Sequence, residues 1–466
     1  SMNNQEPIRD ARTLGWPKML ILGFQHMFAM FGATILVPIL TNQYFTELDG
    51  TQSGLSIRVT LFFAGFGTLF FHFCSKFKVP AFLGSSFAFL GGYAAIAQLN
   101  SGMYAGMTMA EKLPYACGGM VVAGLLYLVL ALIMKVVGVK KVMRFLPPVV
   151  TGPIIILIGM SLAGSAVQNC SSNWWLAILA LAIVVIANIW GKGMIKIIPI
   201  LLGVAISYAV ALILNAFGVT NPDGSALVDL SNIAVSTVTD VVNIPDFFIA
   251  KFDVTSILVM APIAIAAMME HIGDMSAISA TVGEDFISDP GLHRTLIGDG
   301  IATSLSAMFG GPANTTYGEN TGVLALSRVY DPRVVRLAAI FAIVISFFPV
   351  VSNFIGAIPS AIIGGISFIL YGMISAIGIR NLVENKVDFT NSRNLIIAAV
   401  ILVCGLGFSG GITFTVGSAH ITLTALAIAA IAGIILNAIL PGKDYEFGIN
   451  AEGDKNRGIA INPEDK

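Results

Sequence analysis

The chain has 466 residues, 56% of them hydrophobic and 11% charged, with a formal net charge of −1. That balance excludes a soluble domain and leaves no basic surface for nucleic acid, so the class is a polytopic membrane protein, all-α in its spanning parts.

Apolar stretches fall at 16–40, 57–74, 81–99, 114–137, 145–167, 173–190, 196–218, 254–279, 292–310, 312–328, 334–357, 359–379, 394–410 and 420–441, giving spans 1 to 14 in chain order. Several approach the about 20 residues that a helix needs to cross the hydrocarbon. Spans 3 and 10 are broken by Gly, Ser, Asn and Thr, and irregular backbone at that depth is tolerated only inside protein or along a cavity. Leu83-Gly84-Ser85-Ser86-Phe87 and Asn314-Thr315-Thr316-Tyr317-Gly318-Glu319-Asn320 mix Gly with β-favouring Thr, Tyr and Phe, which predicts short extended segments meeting near the midplane.

Fourteen crossings put both termini on one side. Of the 25 Lys and Arg residues, all but Arg58, Lys112 and Lys251 then share the side of the N-terminus, so that side is read as cytoplasmic. The first span is too long for the apolar core of a signal peptide, and Ser1-Met2 reads as a tag remnant. Residues 219–253, rich in Asp and Asn, form the longest outer loop, and the charged tail after Pro441 is expected to be mobile. Cys74, Cys117, Cys170 and Cys404 lack metal-ligand spacing and read as small core residues, so neither a metal nor a cofactor is expected.

Seven spans per half, an odd number, give an inverted repeat, the plan of many transporters. Three local matches support it. Gln25-His26 answers Glu270-His271 in spans 1 and 8; Pro80-Ala81 answers Pro312-Ala313 in spans 3 and 10; Gly152, Gly159, Met160 and Ala163 answer Gly365, Gly372, Met373 and Ala376 in spans 5 and 12. The second match sets Phe87 opposite Glu319, Ser86 opposite Gly318 and Ser85 opposite Tyr317. Short broken spans at corresponding positions in two halves are the best sequence pointer to a transporter's binding site.

Glu270 and Glu319 are acids in the middle of spans, a placement that costs at least a few kcal/mol and so marks a contact with substrate, ion or partner. Asp274 follows Glu270 on the same helical face. His26 and His271 read as hydrogen-bonders between helices, and Tyr317 and Asn320 either as site residues or as partners for the broken backbone. Asp299 is expected to be solvated or capped near the inner end of span 9.

Gln25-His26-Met27-Phe28-Ala29-Met30-Phe31-Gly32-Ala33-Thr34, Pro80-Ala81-Phe82-Leu83-Gly84-Ser85-Ser86-Phe87-Ala88-Phe89, Glu270-His271-Ile272-Gly273, Asp289-Pro290-Gly291-Leu292-His293-Arg294 and Asn314 to Asn320 resemble the signature stretches of the nucleobase-ascorbate transporters, nearest to bacterial uracil permeases. The resemblance covers 16–441. It implies a core domain (16–137, spans 1–4, and 254–357, spans 8–11) moving against a gate domain (138–218, spans 5–7, and 358–441, spans 12–14), with cytoplasmic tails at 1–15 and 442–466 and an extracellular loop at 219–253. It also implies a homodimer joined through the gate domain in the bacterial plasma membrane, and proton-coupled nucleobase import with sodium left open. Carried over by position, the substrate carboxylates are Glu270 and Glu319, the aromatic is Phe87, and the backbone contacts are Phe87 and Gly318, with Tyr317 close by and Gln25, His26, Ser86 and Asn320 in support. One departure matters: uracil permeases usually have His where this chain has Asp274, as the xanthine and urate branch does, yet that branch has Gln in place of Glu319. A xanthine or other purine permease is therefore the alternative.

Uracil is a flat neutral lactam with two N–H donors and two carbonyl acceptors. Carboxylates take the N–H groups, backbone N–H groups serve the carbonyls, and an aromatic ring covers the face. Concentrating a neutral solute requires a coupled ion, and a proton shared among Glu270, Asp274 and Glu319 is the economical carrier. Rival classes fit less well. An intramembrane aspartyl protease needs two facing Asp residues, and the only Tyr-Asp pair, Tyr330-Asp331, lies in a cytoplasmic loop. An anion carrier would place a cation or bare helix N-termini where Glu319 stands, and a channel would show repeats that build a ring-shaped filter.

Overall fold

Apolar runs fold as helices here because their starts carry side chains that satisfy the first free backbone N–H groups. Ser56, Thr108, Asn173, Asp253, Asp331, Asn391 and Thr424 each accept such a bond at the beginning of spans 2, 4, 6, 8, 11, 13 and 14. A computed structural model describes residues 6–442 and 445, apart from 52, 232, 234, 236 and 418; Ser1, Met2 and nearly all of the tail after Pro441 lie outside the described residues.

Every predicted stretch contains a helix, and among the described residues seven helices are long and apolar enough to cross a bilayer unaided: Trp16–Tyr44, Ile57–Cys74, Met109–Val137, Pro148–Cys170, Pro199–Ala216, Val254–Val282 and Ser360–Glu384. The remainder are shorter or interrupted. Span 11 bends by 88° between Pro332–Ile345 and Pro349–Gly356. The stretch 420–441 is not one helix, because Ala419–Leu423 is a strand (β4) paired antiparallel with Ile412–Val416 (β3), and the helix runs only over Ala425–Ile439. Spans 3 and 10 each consist of a strand and a half-length helix: β1 (Leu83–Ser85) leads to Leu90–Ala97, and β2 (Asn314–Thr316) leads to Gly318–Ser327.

The inverted repeat is visible in which helix packs on which. Span 4 packs on span 9 as span 11 packs on span 2; span 1 packs on 11 as span 8 packs on 4; span 6 holds 7 as span 13 holds 14; and span 1 touches 7 as span 8 touches 14. Each pair becomes its counterpart under a shift of seven spans. Spans 5 and 12, which are each other's counterparts, cross where glycines let backbones approach: a Cβ on Gly378 would press on Gly152 O, and one on Gly159 would press on Ser375 N at 3.0 Å.

The N-terminal segment adds a strap. Ile8 forms a parallel bridge with Val329, the Ala11 N–H donates to Asp331 Oδ2 at 2.8 Å, and Arg9 pairs with Glu284 at 2.8 Å while lying over the Tyr330 ring at 5.6 Å. Ala11, Met19, Val329 and Val334 close a small apolar cluster beneath it. The strap thereby joins the C-terminal end of span 8 to the connection between spans 10 and 11.

Candidate functional site

Two strands alone in the middle of a membrane would leave backbone groups unpaired along their outer edges, which is costly without water. The chain solves this within the site. β1 and β2 pair antiparallel, Leu83 with Thr316, Gly84 with Thr315 and Ser85 with Asn314, and the pairing extends through Tyr317 N–H to Phe82 O at 2.9 Å and Ser86 N–H to Ala313 O at 2.8 Å. On the outer edges one threonine serves each strand. Thr68 of span 2 accepts the Leu83 N–H at 2.9 Å, and Thr303 of span 9, its counterpart in the other half, accepts the Asn314 N–H at 3.2 Å and donates to Asn314 O at 3.1 Å.

Each strand delivers the chain to a half-helix with no side-chain cap at its N-terminus, unlike the capped spans above. Those uncapped N–H groups and their dipoles suit an oxygen of a small molecule. A Cβ added at Gly318 would meet no atom within 4 Å, so backbone is accessible there, and Glu319 stands in the first turn of the same half-helix. Phe87 is 7% exposed and meets Tyr371 of span 12 edge to face, with ring centroids 6.0 Å apart. Tyr317 turns inward: its hydroxyl donates to Ser85 O at 2.9 Å and its ring fills the place a side chain at Gly84 would need. Tyr317 is therefore a strut of the ribbon. Ser86 is buried, and its hydroxyl accepts the Ala88 N–H at 3.3 Å, holding the bend between β1 and its half-helix.

Span 8 supplies the acids. Glu270 Oε2 is buried without a hydrogen-bond partner, an unsatisfied acceptor of the kind a ligand donor completes. Asp274 accepts a hydrogen bond from the Thr316 hydroxyl at 2.7 Å. Glu270 lies within electrostatic reach of Asp299 and Glu319, and Asp274 of all three, so the three acids chosen from sequence do come together. Asn320 Nδ2 donates to His26 O at 2.9 Å and to His26 Nδ1 at 3.2 Å, which makes His26 a link between spans 1 and 10; Gln25 beside it is half-buried.

Asp299 departs from expectation. It is fully buried, and its Oδ2 lies 2.7 Å from His271 Nδ1. His271 Nε2 sits 3.0 Å from Thr295 Oγ1, whose own hydrogen goes to Leu292 O, so the ring must donate there. One proton is then shared between His271 Nδ1 and Asp299, directly beside Glu270. Helical periodicity within one span carries no sign of such a cross-helix pair, and Thr68, Thr303 and Tyr371 likewise had no signal in the sequence.

Two uncapped half-helices crossing at a strand pair, faced by half-buried acids, define a membrane carrier for a small polar solute. The Permease family model matches residues 17–414. The chain is 40% identical over 451 residues to a uracil permease of Bacillus caldolyticus, covering 94% of each chain, and 38% identical to one of Bacillus subtilis (strain 168), covering 96% and 97%. It is 35% identical to a uracil permease of Escherichia coli (strain K12), covering 90% of each. The chain belongs to this family, the nucleobase-ascorbate transporters, and is a permease rather than an enzyme. Its fold is also that of the transmembrane domain of the cyanobacterial bicarbonate transporter BicA, with a TM-score of 0.62 at 14% identity over 91% of this chain and 99% of that one. SLC26A9 aligns with a TM-score of 0.62 at 13% identity over 92% of this chain and 67% of the other.

Proposed function

We propose that this chain imports uracil by proton symport, its core domain carrying the substrate past the gate domain. The observation that carries this reading is the buried, unpartnered Glu270 Oε2 beside the uncapped start of the span-10 half-helix. A lactam N–H donates to Glu270, a second to Glu319, the N–H groups after Tyr317 and around Phe87 donate to the carbonyls, and Phe87 covers the ring. Every edge of uracil is then satisfied.

Asp274 favours the second reading, a purine base such as xanthine, because it stands where the uracil-type pattern has His. Glu319 weighs against it. Coupling is assigned to the acids of span 8 and span 10, where a shared proton would complete the site for a neutral solute. Thermal-shift measurements on purified protein with uracil, xanthine, guanine, adenine and urate rank the substrates, since a ligand that binds only the folded state raises its apparent stability. A xanthine response without a uracil response overturns the proposal, and counterflow of labelled uracil in proteoliposomes establishes carrier action.

A further inference from the structure

The turn that feeds β1 is held more firmly than any solvent-side loop needs to be. Span 2 ends in two successive non-glycine residues in the left-handed region, Lys76 (φ 57) and Phe77 (φ 59). Such backbone persists only where its surroundings over-determine it, and it clusters at sites whose geometry matters. Here three other core segments supply the surroundings. Arg294 of span 9 donates to Cys74 O at 2.6 Å, Lys78 pairs with Asp289 at 2.6 Å, and Arg336 of span 11 lies over the Phe77 ring at 5.3 Å.

Arg336 reaches one step further. Its Nη1 donates to His72 Nδ1 at 3.3 Å, and a guanidinium has no acceptor, so His72 Nδ1 must be bare and the ring proton must sit on Nε2. That Nε2–H donates to Ala81 O at 2.8 Å, two residues before β1. His72 is fully buried, and it lies one turn after Thr68, which holds the Leu83 N–H. Span 2 thus grips β1 at two successive turns. In the other half Ser306 fills the corresponding place with a hydroxyl, donating to Pro312 O at 2.6 Å; a hydroxyl rotates to suit its acceptor, whereas the imidazole needs one tautomer, and Arg336 imposes it.

We propose that His72 and Arg336 are positioning residues for substrate binding: Arg336 fixes the His72 tautomer, His72 fixes the depth of β1, and β1 sets where Ser86 and Phe87 present backbone and ring to the substrate. The inference rests on the substrate site proposed above, but its test does not depend on which base is carried.

The test measures initial counterflow rates against substrate concentration in proteoliposomes for the wild type, His72→Leu, His72→Gln and Arg336→Met. A buried carbonyl left without its donor moves the strand, so His72→Leu raises KM about tenfold with the maximal rate held within about twofold. His72→Gln restores a donor to Ala81 O and brings KM back within about threefold, a recovery that lost packing alone does not give. Arg336→Met, at a half-buried position that keeps the apolar stem over Phe77, raises KM several-fold and decides the matter if His72→Leu does not fold. Unchanged KM in folded His72→Leu or Arg336→Met, or an equal defect in His72→Gln and His72→Leu, overturns the proposal. If the wild type carries xanthine and not uracil, the uracil reading fails while the same comparison is made with xanthine. If it carries no base, amide hydrogen exchange over residues 80–89 is the readout, faster in His72→Leu and Arg336→Met if the proposal holds and unchanged if it does not.

Discussion

The Thr316 hydroxyl donates to Asp274 Oδ2 at 2.7 Å, so the last residue of β2 is tied to the acid one turn beyond Glu270. An Asn at position 274 can accept that same bond through its carbonyl but cannot carry a proton. Asp274→Asn is therefore expected to retain substrate binding and exchange while losing accumulation driven by an inward proton gradient. Exchange and gradient-driven uptake measured side by side in proteoliposomes check this, and intact accumulation removes Asp274 from the proton path.

Glu270→Gln and Glu319→Gln are each expected to abolish uptake. An amide places a donor where the substrate needs an acceptor, and at least one buried polar group is left unpaired, at about 1–3 kcal/mol plus the lost charge-assisted bond. Uptake by either folded variant near the wild-type rate takes that carboxylate out of the site.

Phe87→Ala should weaken base binding by about 1–3 kcal/mol if the ring stacks on the substrate, by analogy with base–aromatic stacking elsewhere. Isothermal titration on the purified variant measures it. The edge-to-face contact with Tyr371 is lost as well, so Tyr371→Leu, which removes that contact and keeps Phe87, serves as the control.

Asp331 caps span 11 through Arg333 N–H at 3.0 Å and also receives the Ala11 N–H. Asp331→Ala is expected to cost about 1–2 kcal/mol and to release the strap, read as faster amide exchange at Ile8, Ala11 and Tyr330. Equal protection in variant and wild type contradicts the strap's dependence on this carboxylate.

Acidification tests the same strap from another side. The Arg12 side chain and backbone N–H bond Asp10 and hold its carboxyl down at about 2. A lowered value means a contribution present above the ordinary carboxylate range of about 4 and lost only as pH falls through about 2. The Asp10–Arg333 pair should thus survive at pH 5, and Asp10→Asn should loosen the strap equally at pH 5 and pH 7, as monitored by proteolysis at Arg9 and Arg12.

Much of the plan was legible because burial in lipid imposes strong composition rules. The match of Pro80 with Pro312 located the ribbon but is one residue out of register: the bond from Ser86 N–H to Ala313 O answers that from Tyr317 N–H to Phe82 O, so Ser86 stands opposite Tyr317 and Phe87 opposite Gly318 rather than Glu319. Glu270, Asp274 and Glu319 were legible because acids at that depth are conspicuous. Asp299 was misread as solvated since its partner, His271, lies on another helix and only packing reveals it. The strand Ala419–Leu423 was absorbed into span 14 because a short apolar run bordering a longer one has no period that separates strand from helix. Tyr317 was read either as a site residue or as a partner for the broken backbone, and its ring orientation was not legible because it depends on Gly84, in the other half.

The ribbon at the centre takes one strand from each half of the polypeptide, and among the described residues neither strand has another strand to pair with. During synthesis β1 must wait, its ladder unmade, until the segment ending at Thr316 has entered the bilayer. The first seven spans emerging from the ribosome therefore lack one strand of the ribbon, and completing it depends on insertion of span 10. Two separately expressed halves, cut between residues 219 and 253, should recover binding only when both are present in the same membrane.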